Sequence, residues 1–219
     1  MIDTAILVTY WPQLVRGTIV TLEIAALGCS LGITLGTLLG LLQSGDNKFI
    51  RWAVAIYATL LRGTPMLIQI AFIVFVLPQF GIRIPDFWGA TLAIGLNSSA
   101  YVSQIIRSGI ASIGRGQFEA AKVLGFNHVQ TIRFIILPQA IRVVLPSLGN
   151  EFITLVKDSS LASTVGVMEL SKQASYIKSR TFDALTVYCL VAVIYLTITS
   201  LLSLFVMYLE KRMNHHVKN

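Results

Sequence analysis

The chain has 219 residues, of which 55% are hydrophobic and only 12% are charged, against roughly 25% charged residues in a typical soluble domain. This composition excludes an ordinary soluble protein and indicates a membrane protein. The net charge of +7 comes from Lys and Arg residues spread between apolar runs, which favours the positive-inside bias over nucleic-acid binding. Cys29 and Cys189 lie inside apolar runs, where a free thiol packs as a small hydrophobe, so neither a disulfide nor a metal site is expected.

Five apolar runs are long enough to cross a bilayer, which takes about 20 helical residues. They predict an all-α membrane protein with one transmembrane domain over 18–209. The predicted spans are 18–42, 52–77, 87–106, 143–165 and 184–209. The run from Thr18 is too long for a signal peptide, so we expect the first span to remain in the mature chain. Residues 1–17 carry aromatic side chains typical of an external interfacial segment, with a loosely ordered tail as the alternative, and 210–219 form a predicted tail.

Lys and Arg residues are unequally divided between the two sides that five spans define. One side holds ten of them: Lys48, Arg51, Arg107, Arg115, Lys122, Arg133, Arg142, Lys211, Arg212 and Lys218. The other side holds five: Arg16, Arg83, Lys172, Lys178 and Arg180. This difference predicts an external amino terminus, a cytoplasmic carboxyl terminus and a cytoplasmic loop over 108–141.

The first predicted span carries a glycine at every fourth position, at Gly28, Gly32, Gly36 and Gly40. A stripe of small residues lets a neighbouring helix approach closely. We therefore expect helix packing along this stripe and no chemistry.

The second predicted span is interrupted by Arg62-Gly63-Thr64-Pro65. Pro65 lacks a backbone donor and clashes with the preceding turn, so a kink is expected here, near mid-membrane depth. Irregular backbone at that depth is tolerated where it packs on protein or lines a wet cavity. Two interpretations stay open: a structural kink in which Arg62 pairs with an acid, or a direct contact with substrate.

The third predicted span places polar residues on one stripe, with Ser98 near its edge. The stripe consists of Asn97, Tyr101, Gln104 and Ser108. One polar side chain in a span is usually satisfied by a neighbouring helix. Four on one face of an apolar segment favour a lined pathway instead.

The fourth predicted span contains ionisable residues, which are costly within a membrane. Glu151 and Asp158 share a helix face, and Lys157 lies one step round the helix. They form either a structural ion-pair network with Arg62 or a site that meets substrate charge. The predicted substrate-binding residues are Thr64, Asn97, Ser98, Tyr101, Gln104, Glu151 and Asp158, supported by Arg62, Pro65 and Lys157.

A polar stretch between the third and fourth spans reads EAAKVLGFNHVQTIRFIILP, from Glu119 to Pro138. Gly125 predicts the end of a short helix, because a residue without Cβ takes the left-handed conformation easily. Asn127 is expected to cap the next helix by accepting from a backbone N–H two or three residues on. The small pair Ala120-Ala121 leaves room for another surface to approach.

The spacing of this stretch resembles the cytoplasmic EAA loop of permease subunits in ATP-driven importers. The resemblance continues through 139–164 and to Arg62-Gly63-Thr64-Pro65, covers most of 17–210, and is to the polar amino-acid branch of that family. It implies the type I ABC importer permease fold. It also implies an ATPase-coupling role for Glu119, Ala120, Ala121, Gly125, Leu137 and Pro138. For the loop alone, an ordinary surface helix-turn-helix is the alternative.

The resemblance implies a transport subunit of the inner membrane that is not itself an enzyme. No G-x-x-x-x-G-K-[ST] sequence occurs, so ATP and Mg are expected in a separate cytosolic ATP-binding subunit, with no cofactor in this chain. Other implied partners are an external solute-binding protein, contacting 78–86 and 166–182, and a second permease chain in a homodimer or heterodimer. The implied substrate is a polar amino acid, and a basic one if both carboxylates are ionised and not neutralised.

Two other functional classes are alternatives. An ion-coupled secondary transporter or channel would also use intramembrane carboxylates and a broken helix, although five spans without an inverted repeat make a small transporter. A membrane enzyme would need a nucleophile beside a base, or a metal cluster, and no such constellation is predicted. Transport driven by an ion gradient without an ATPase would distinguish a secondary transporter or channel from an ATP-driven importer.

Overall fold

The computed structural model describes residues 4–45 and 47–214, and most of them are helical. Among these residues, three helical segments are long and apolar enough to cross a membrane: Val8–Ser44, Thr131–Val165 and Ala184–Met213. A bent pair, Lys48–Gly63 with Met66–Phe80, brings the number to four if it counts as one span. The all-α class is therefore confirmed, whereas the predicted number of five spans is not.

The helices follow one another with short connections. In the first half they are α1 (Thr4–Ser44), α2 (Lys48–Gly63), α3 (Met66–Ala71), which continues through a π-helical segment (Phe72–Val76) and a 3-10 segment (Leu77–Phe80), and α4 (Asp86–Ala111). In the second half they are α5 (Arg115–Val123), α6 (His128–Gln130), a π-helical segment (Thr131–Ile136), α7 (Leu137–Asp158), a 3-10 segment (Ser159–Val165), α8 (Leu170–Thr181) and α9 (Ala184–Asn214).

Helix α1 extends well beyond the predicted first span. It begins at Thr4 and runs through Pro12, so residues 4–17 are helical and the alternative of a loose tail is wrong for them. Residues 1–3, and residues 215–219 of the predicted carboxyl-terminal tail with Lys218, lie outside the described residues. Leu14 on this extension is 2% exposed and packs with Leu170 and Ile177 of α8, which explains why the helix is retained here.

Helix α4 contains the third predicted span, but it is not among the helices that are apolar enough to count as a span. It has 26 residues, and its polar side chains lower its average hydropathy. About half of the helix is nevertheless buried inside the protein, including Asn97 and Ser98. Buried polar residues such as Asn97 and Ser98 face other helices, and a hydropathy average carries little information about such a helix.

The glycine stripe of α1 packs directly on α4, as predicted. A Cβ atom on Gly32 would lie 2.6 Å from Ser98 Oγ, and one on Gly36 would lie 2.7 Å from the Ser99 carbonyl oxygen. Both distances are shorter than a carbon atom tolerates. The two helices therefore approach each other at a distance that only glycine permits.

Glu169 joins three helices from a fully buried position, 0% exposed, at the start of α8. Its carboxyl oxygens accept from the backbone N–H groups of Ser171 at 2.8 Å and Lys172 at 2.7 Å. The hydroxyls of Tyr195 on α9 and Thr21 on α1 donate to it at 3.1 Å and 3.4 Å. Burial raises the pKa of the Glu169 carboxyl, and these hydrogen bonds lower it in part. The residue thus caps α8 and links it to α1 and α9.

The interruption at Arg62–Pro65 is a complete break and not a kink. Helix α2 ends at Gly63, Thr64 is extended (φ −110°, ψ 140°), and Pro65 precedes α3. The two helices are bent by 101°. Because Pro65 has no N–H, the carbonyl group of Leu61, four residues earlier, loses its helical hydrogen bond.

Two side-chain amides replace the missing donor at the break. Gln69 Nε2 donates to the Leu61 carbonyl oxygen at 2.6 Å and to Thr64 Oγ1 at 2.7 Å. Asn97 Nδ2 donates to the same Leu61 oxygen at 3.0 Å and to Gln69 Oε1 at 3.1 Å. These bonds connect α2, α3 and α4 and stabilise the bent backbone.

Substituting Gly36 by Val is expected to lower the thermal midpoint of the purified protein in detergent by several degrees. The added Cβ would lie 2.5 Å from Val102 Cβ and 2.7 Å from the Ser99 carbonyl oxygen, and overpacking of this kind costs about 1–3 kcal/mol. Gly116→Val is the matched control, since no heavy atom lies within 4 Å of a Cβ there. Equal midpoints for the two variants would contradict the close α1–α4 contact.

Substituting Gln69 by Leu should also destabilise the protein, because it removes the donor nearest to the Leu61 carbonyl oxygen, leaving Asn97 at 3.0 Å and the Thr64 hydroxyl at 3.5 Å. It also removes one acceptor of Asn97. Lost buried hydrogen bonds of this type cost about 1–3 kcal/mol. Gln79→Leu is the control, since Gln79 is exposed and makes one bond, at 3.4 Å, to Phe75. Thermal midpoints measured by size-exclusion chromatography after heating test this. An unchanged Gln69→Leu midpoint would show that the amide does not stabilise the break.

Candidate functional site

A cavity of about 580 Å³ lies at the break between α2 and α3, facing α4 and α7. This volume falls in the range of small-molecule sites in proteins. The lining residues are Arg62, Gly63, Thr64, Pro65, Met66, Asn97, Tyr101, Glu151, Thr154, Leu155 and Asp158. The tertiary structure thus brings together residues from three of the predicted spans.

The cavity wall carries two carboxylates and one guanidinium group. Glu151 and Asp158 lie on α7, two turns apart, and Arg62 lies at the end of α2. No salt bridge joins any of the three, so the structure does not contain the pairing of Arg62 with an acid that was one of the two interpretations. The Arg62 guanidinium instead lies over the Tyr101 ring, with its central carbon 5.2 Å from the ring centroid, a cation–π contact.

Ser98 supports the site from behind the wall. It is fully buried, and its hydroxyl donates to Glu151 Oε1 at 2.8 Å. It does not line the cavity. Ser98 therefore orients one carboxylate, and a direct contact of Ser98 with a ligand in this cavity is not supported.

Asn97 lines the cavity, but its amide N–H groups are already engaged by Leu61 and Gln69. Thr64 is similar, because its hydroxyl donates to the Leu60 carbonyl oxygen at 3.0 Å and accepts from Gln69. Both residues shape the broken backbone. The polar groups most open to a ligand are those of Arg62, Tyr101, Glu151 and Asp158. Thr154 also lines the wall, but its hydroxyl donates to the Asn150 carbonyl oxygen at 3.1 Å.

Two further predicted residues, besides Ser98, lie outside the cavity. Gln104 donates to Gln43 Oε1 on α1 at 2.9 Å, although it shares a helix face with Asn97. The seven residues from Asn97 to Gln104 correspond to about 10 Å along the helix, and this distance places Gln104 beyond the cavity. Lys157 is exposed and does not line the wall either, although its charge acts on the neighbouring Asp158.

Three residues at or near the site are absent from the predicted set, and the sequence contains a signal for two of them. Thr154 lies three residues after Glu151 and four before Asp158, on the same helix face. Gln69 is a polar residue in an apolar run, four positions after Pro65. No sequence signal identifies Met66, because its place in the wall depends on the 101° bend.

The loop after α4 folds as predicted from its turn residues. Helix α5 ends at Val123, and Gly125 has φ +79°, in the left-handed region that favours glycine. Asn127 Oδ1 accepts from the Gln130 N–H at 2.9 Å, and Gln130 Oε1 accepts from the Asn127 N–H at 3.0 Å. This reciprocal pair caps the next helix.

One expectation for this loop needs correction. Ala121 is 0% exposed and packs inside the protein, so only Ala120 of the small pair is free for another surface. Leu137 and Pro138 lie within one helical path that continues from His128 through the π-helical segment into α7. Pro138 lies in the first turn of α7, directly after the π-helical segment.

The outer surface of the loop is unusually apolar for a polar connection. Val123 is 87% exposed, Leu124 72% and Val129 70%. Glu119 is exposed and makes no hydrogen bond to a described residue. Exposed apolar clusters rimmed by polar residues are typical of protein interaction sites.

The chain matches the family model described as "binding-protein-dependent transport system inner membrane component" over residues 32–215. It is 39% identical over 204 residues to the glutamine transport system permease protein GlnP of Escherichia coli (strain K12), covering 92% of this chain and 93% of that protein. It is 38% identical over 210 residues to the L-cystine transport system permease protein TcyB of Bacillus subtilis (strain 168), covering 95% and 90%.

Its fold matches the crystal structure of an amino acid ABC transporter with histidines, at a TM-score of 0.92 and 38% identity, covering 97% of this chain and 99% of that one. The family indicated by the EAA spacing is thereby confirmed. The chain belongs to the inner membrane components of binding-protein-dependent transport systems.

Proposed function

We propose that the chain is the permease subunit of an ATP-driven importer and that its charged cavity binds a polar amino acid during translocation. The observation that carries this proposal is the cavity at the α2–α3 break, where two carboxylates and one guanidinium group face a half-open space without forming a salt bridge. Unpaired ionisable groups among membrane helices are costly and usually serve a transported charge.

A free amino acid carries both charges that this wall complements. Arg62 supplies the positive charge for the substrate carboxylate. Tyr101, whose ring contacts Arg62, lines the same cavity on the helix face that carries Asn97. Glu151 and Asp158 supply acceptors for the ammonium group or a cationic side chain. Thr154 lies between the two acids on α7 and donates its hydroxyl proton to the Asn150 carbonyl oxygen. Its hydroxyl oxygen can therefore accept from the ammonium group.

The balance of charge in the cavity favours a basic amino acid. Among the lining residues two acids face one base, so the wall has excess negative charge when both acids are ionised, offset in part by Lys157 beside Asp158. A cationic side chain such as that of arginine, lysine or histidine would neutralise it. The relatives named for glutamine and L-cystine support the broader class of polar amino acids. Selection by the binding protein is the alternative source of specificity.

The loop around Gly125 is proposed to dock a separate ATP-binding subunit, which binds ATP and Mg. The exposed apolar residues Val123, Leu124 and Val129 support this role. The absence of a G-x-x-x-x-G-K-[ST] sequence in the chain agrees with hydrolysis by a partner. Glu119 and Ala120 stay proposed coupling contacts, since both are exposed on α5.

The proposed topology has five crossings, with α4 as the third, an external amino terminus and a cytoplasmic 108–141 loop. The distribution of Lys and Arg supports it. A solute-binding protein would then contact 78–86 and 166–182, where α8 lies. A second permease chain, identical or similar, is proposed beside α9, whose most apolar stretch is only 6% buried.

Transport assays in proteoliposomes with the ATPase and the binding protein test the role of the cavity. Wild type is expected to import labelled arginine and glutamine only with ATP. Glu151→Gln and Asp158→Asn are each expected to reduce arginine uptake about tenfold or more, with a smaller loss for glutamine, because removing one acceptor charge penalises the cationic substrate. Glu210→Gln is a control at the end of α9, away from the cavity.

Equal losses for both solutes would assign the two acids to a structural network, and no loss would remove them from the pathway. Uptake driven by an ion gradient without the ATPase would contradict ATP coupling. Outward transport without the binding protein would contradict import.

Gly125→Val is expected to uncouple ATP hydrolysis from transport while membrane insertion stays intact. The φ of +79° at Gly125 is strained for a β-branched residue, so the turn that presents Leu124 would rearrange. Gly114→Val is the matched control in the same loop, because Gly114 has φ −58° and open space around it. Substrate-stimulated ATPase activity and uptake, measured together, should both fall at least about tenfold for Gly125→Val only. Unchanged values would refute the mechanical role of this turn.

A further inference from the structure

A second cavity, of about 370 Å³, lies where α1 ends and α2 begins, on the same side of the bundle as the 108–141 loop. It is separate from the charged cavity at the α2–α3 break and shares no residue with it. Its lining residues are Gln43, Lys48, Arg51, Trp52, Ala55 and Arg107. Nothing in the transport scheme above uses them.

Three cations converge on this cavity from two helices, Lys48 and Arg51 from α2 and Arg107 from α4. None of the lining residues is acidic, and none of the three cations forms an ion pair with a described residue. Asp46 in the short α1–α2 connection lies outside the described residues. Like charges that share a partly enclosed space repel one another, and a bound anion would remove that repulsion.

A fixed amide completes the polar wall. Gln43 is 5% exposed, and its Oε1 accepts from Gln104 Nε2 at 2.9 Å. No hydrogen bond to a described residue uses the Gln43 NH2 group. The bond to Gln104 sets the orientation of the amide, so that Gln43 adds an oriented neutral donor to the three cations.

The surroundings of the cavity are those of a membrane surface. Trp52 is 65% exposed and Phe49 75% exposed in the first turns of α2, and such rings are typical of the headgroup level. Leu41 and Leu42 at the end of α1 are 44% and 41% exposed. A ligand here meets cations at one end and exposed apolar side chains beside them.

We propose that this cavity binds the phosphodiester headgroup of an anionic phospholipid. Arg51 and Arg107 supply planar donors suited to phosphate oxygens, and Lys48 and Gln43 supply further N–H groups. The acyl chains would run along Trp52 and the exposed leucines of α1. A soluble anion would gain the charge contacts but not the apolar ones. Basic pockets between membrane helices are suited to such headgroups.

Quenching of Trp52 by brominated lipid tests the proposal directly. The sequence has three tryptophans, so Trp11→Phe with Trp88→Phe leaves Trp52 as the reporter in the full-length chain in detergent. Brominated phosphatidylglycerol is expected to quench it at a mole fraction at least about tenfold lower than brominated phosphatidylcholine. Arg51→Gln and Arg107→Gln should each raise the half-saturating fraction of phosphatidylglycerol about fivefold, as expected for one cation near an anionic lipid.

Matched controls separate the site from general surface charge and from misfolding. Arg115→Gln and Lys122→Gln remove cations of the 108–141 loop outside the cavity and should leave the half-saturating fraction unchanged. Arg51→Lys keeps the charge and should retain most of the preference, and unchanged elution on size exclusion verifies the fold of each variant.

Four results would overturn the proposal. The first is equal quenching by the two lipids, and the second is an equal rise of the half-saturating lipid fraction in the loop variants and the cavity variants. The third is displacement of the lipid by excess inorganic phosphate, and the fourth is a lipid preference that arises only in Asp46→Asn. The third would assign the cavity to free phosphate, and the last would identify Asp46 as the counterion.

Discussion

The structure depends on one carbonyl group that has lost its helical partner. Pro65 cannot donate to the Leu61 oxygen, and in a membrane no bulk water replaces the donor. Gln69 and Asn97 satisfy this oxygen at 2.6 Å and 3.0 Å. The backbone can therefore turn by 101° within the bundle. The cavity exists because of that turn, since four consecutive residues of its wall, 62–65, are the break itself.

The carboxylate side of the cavity depends on a second constraint, the close approach of α1 and α4. Gly32 leaves the space in which Ser98 lies, and Ser98 donates to Glu151 at 2.8 Å. A side chain at Gly32 would meet Ser98 Oγ at 2.6 Å and displace it. The glycine stripe therefore contributes to the orientation of a site residue, although no glycine of the stripe lines the cavity.

One continuous helical path joins the loop to the site. It begins at His128, directly after the Asn127–Gln130 cap, and reaches Glu151 and Asp158 on α7. The π-helical segment at 131–136 lies between the two. If the proposed ATP-binding subunit docks on the loop, motion of the loop would be transmitted to the carboxylates through a helix and not through a flexible connection.

The sequence by itself determined the all-α membrane class, the Gly125 turn, the Asn127 cap and the glycine packing, because each follows from local backbone geometry or from helical spacing. It also placed Glu151 and Asp158 on one face. Only the tertiary structure decided which polar residues meet. It assigned Asn97 and Thr64 to the break, Ser98 to the support of Glu151, and Gln104 to Gln43. These assignments depend on the depth of each residue along its helix and on a 101° bend, which periodicity along one chain does not encode.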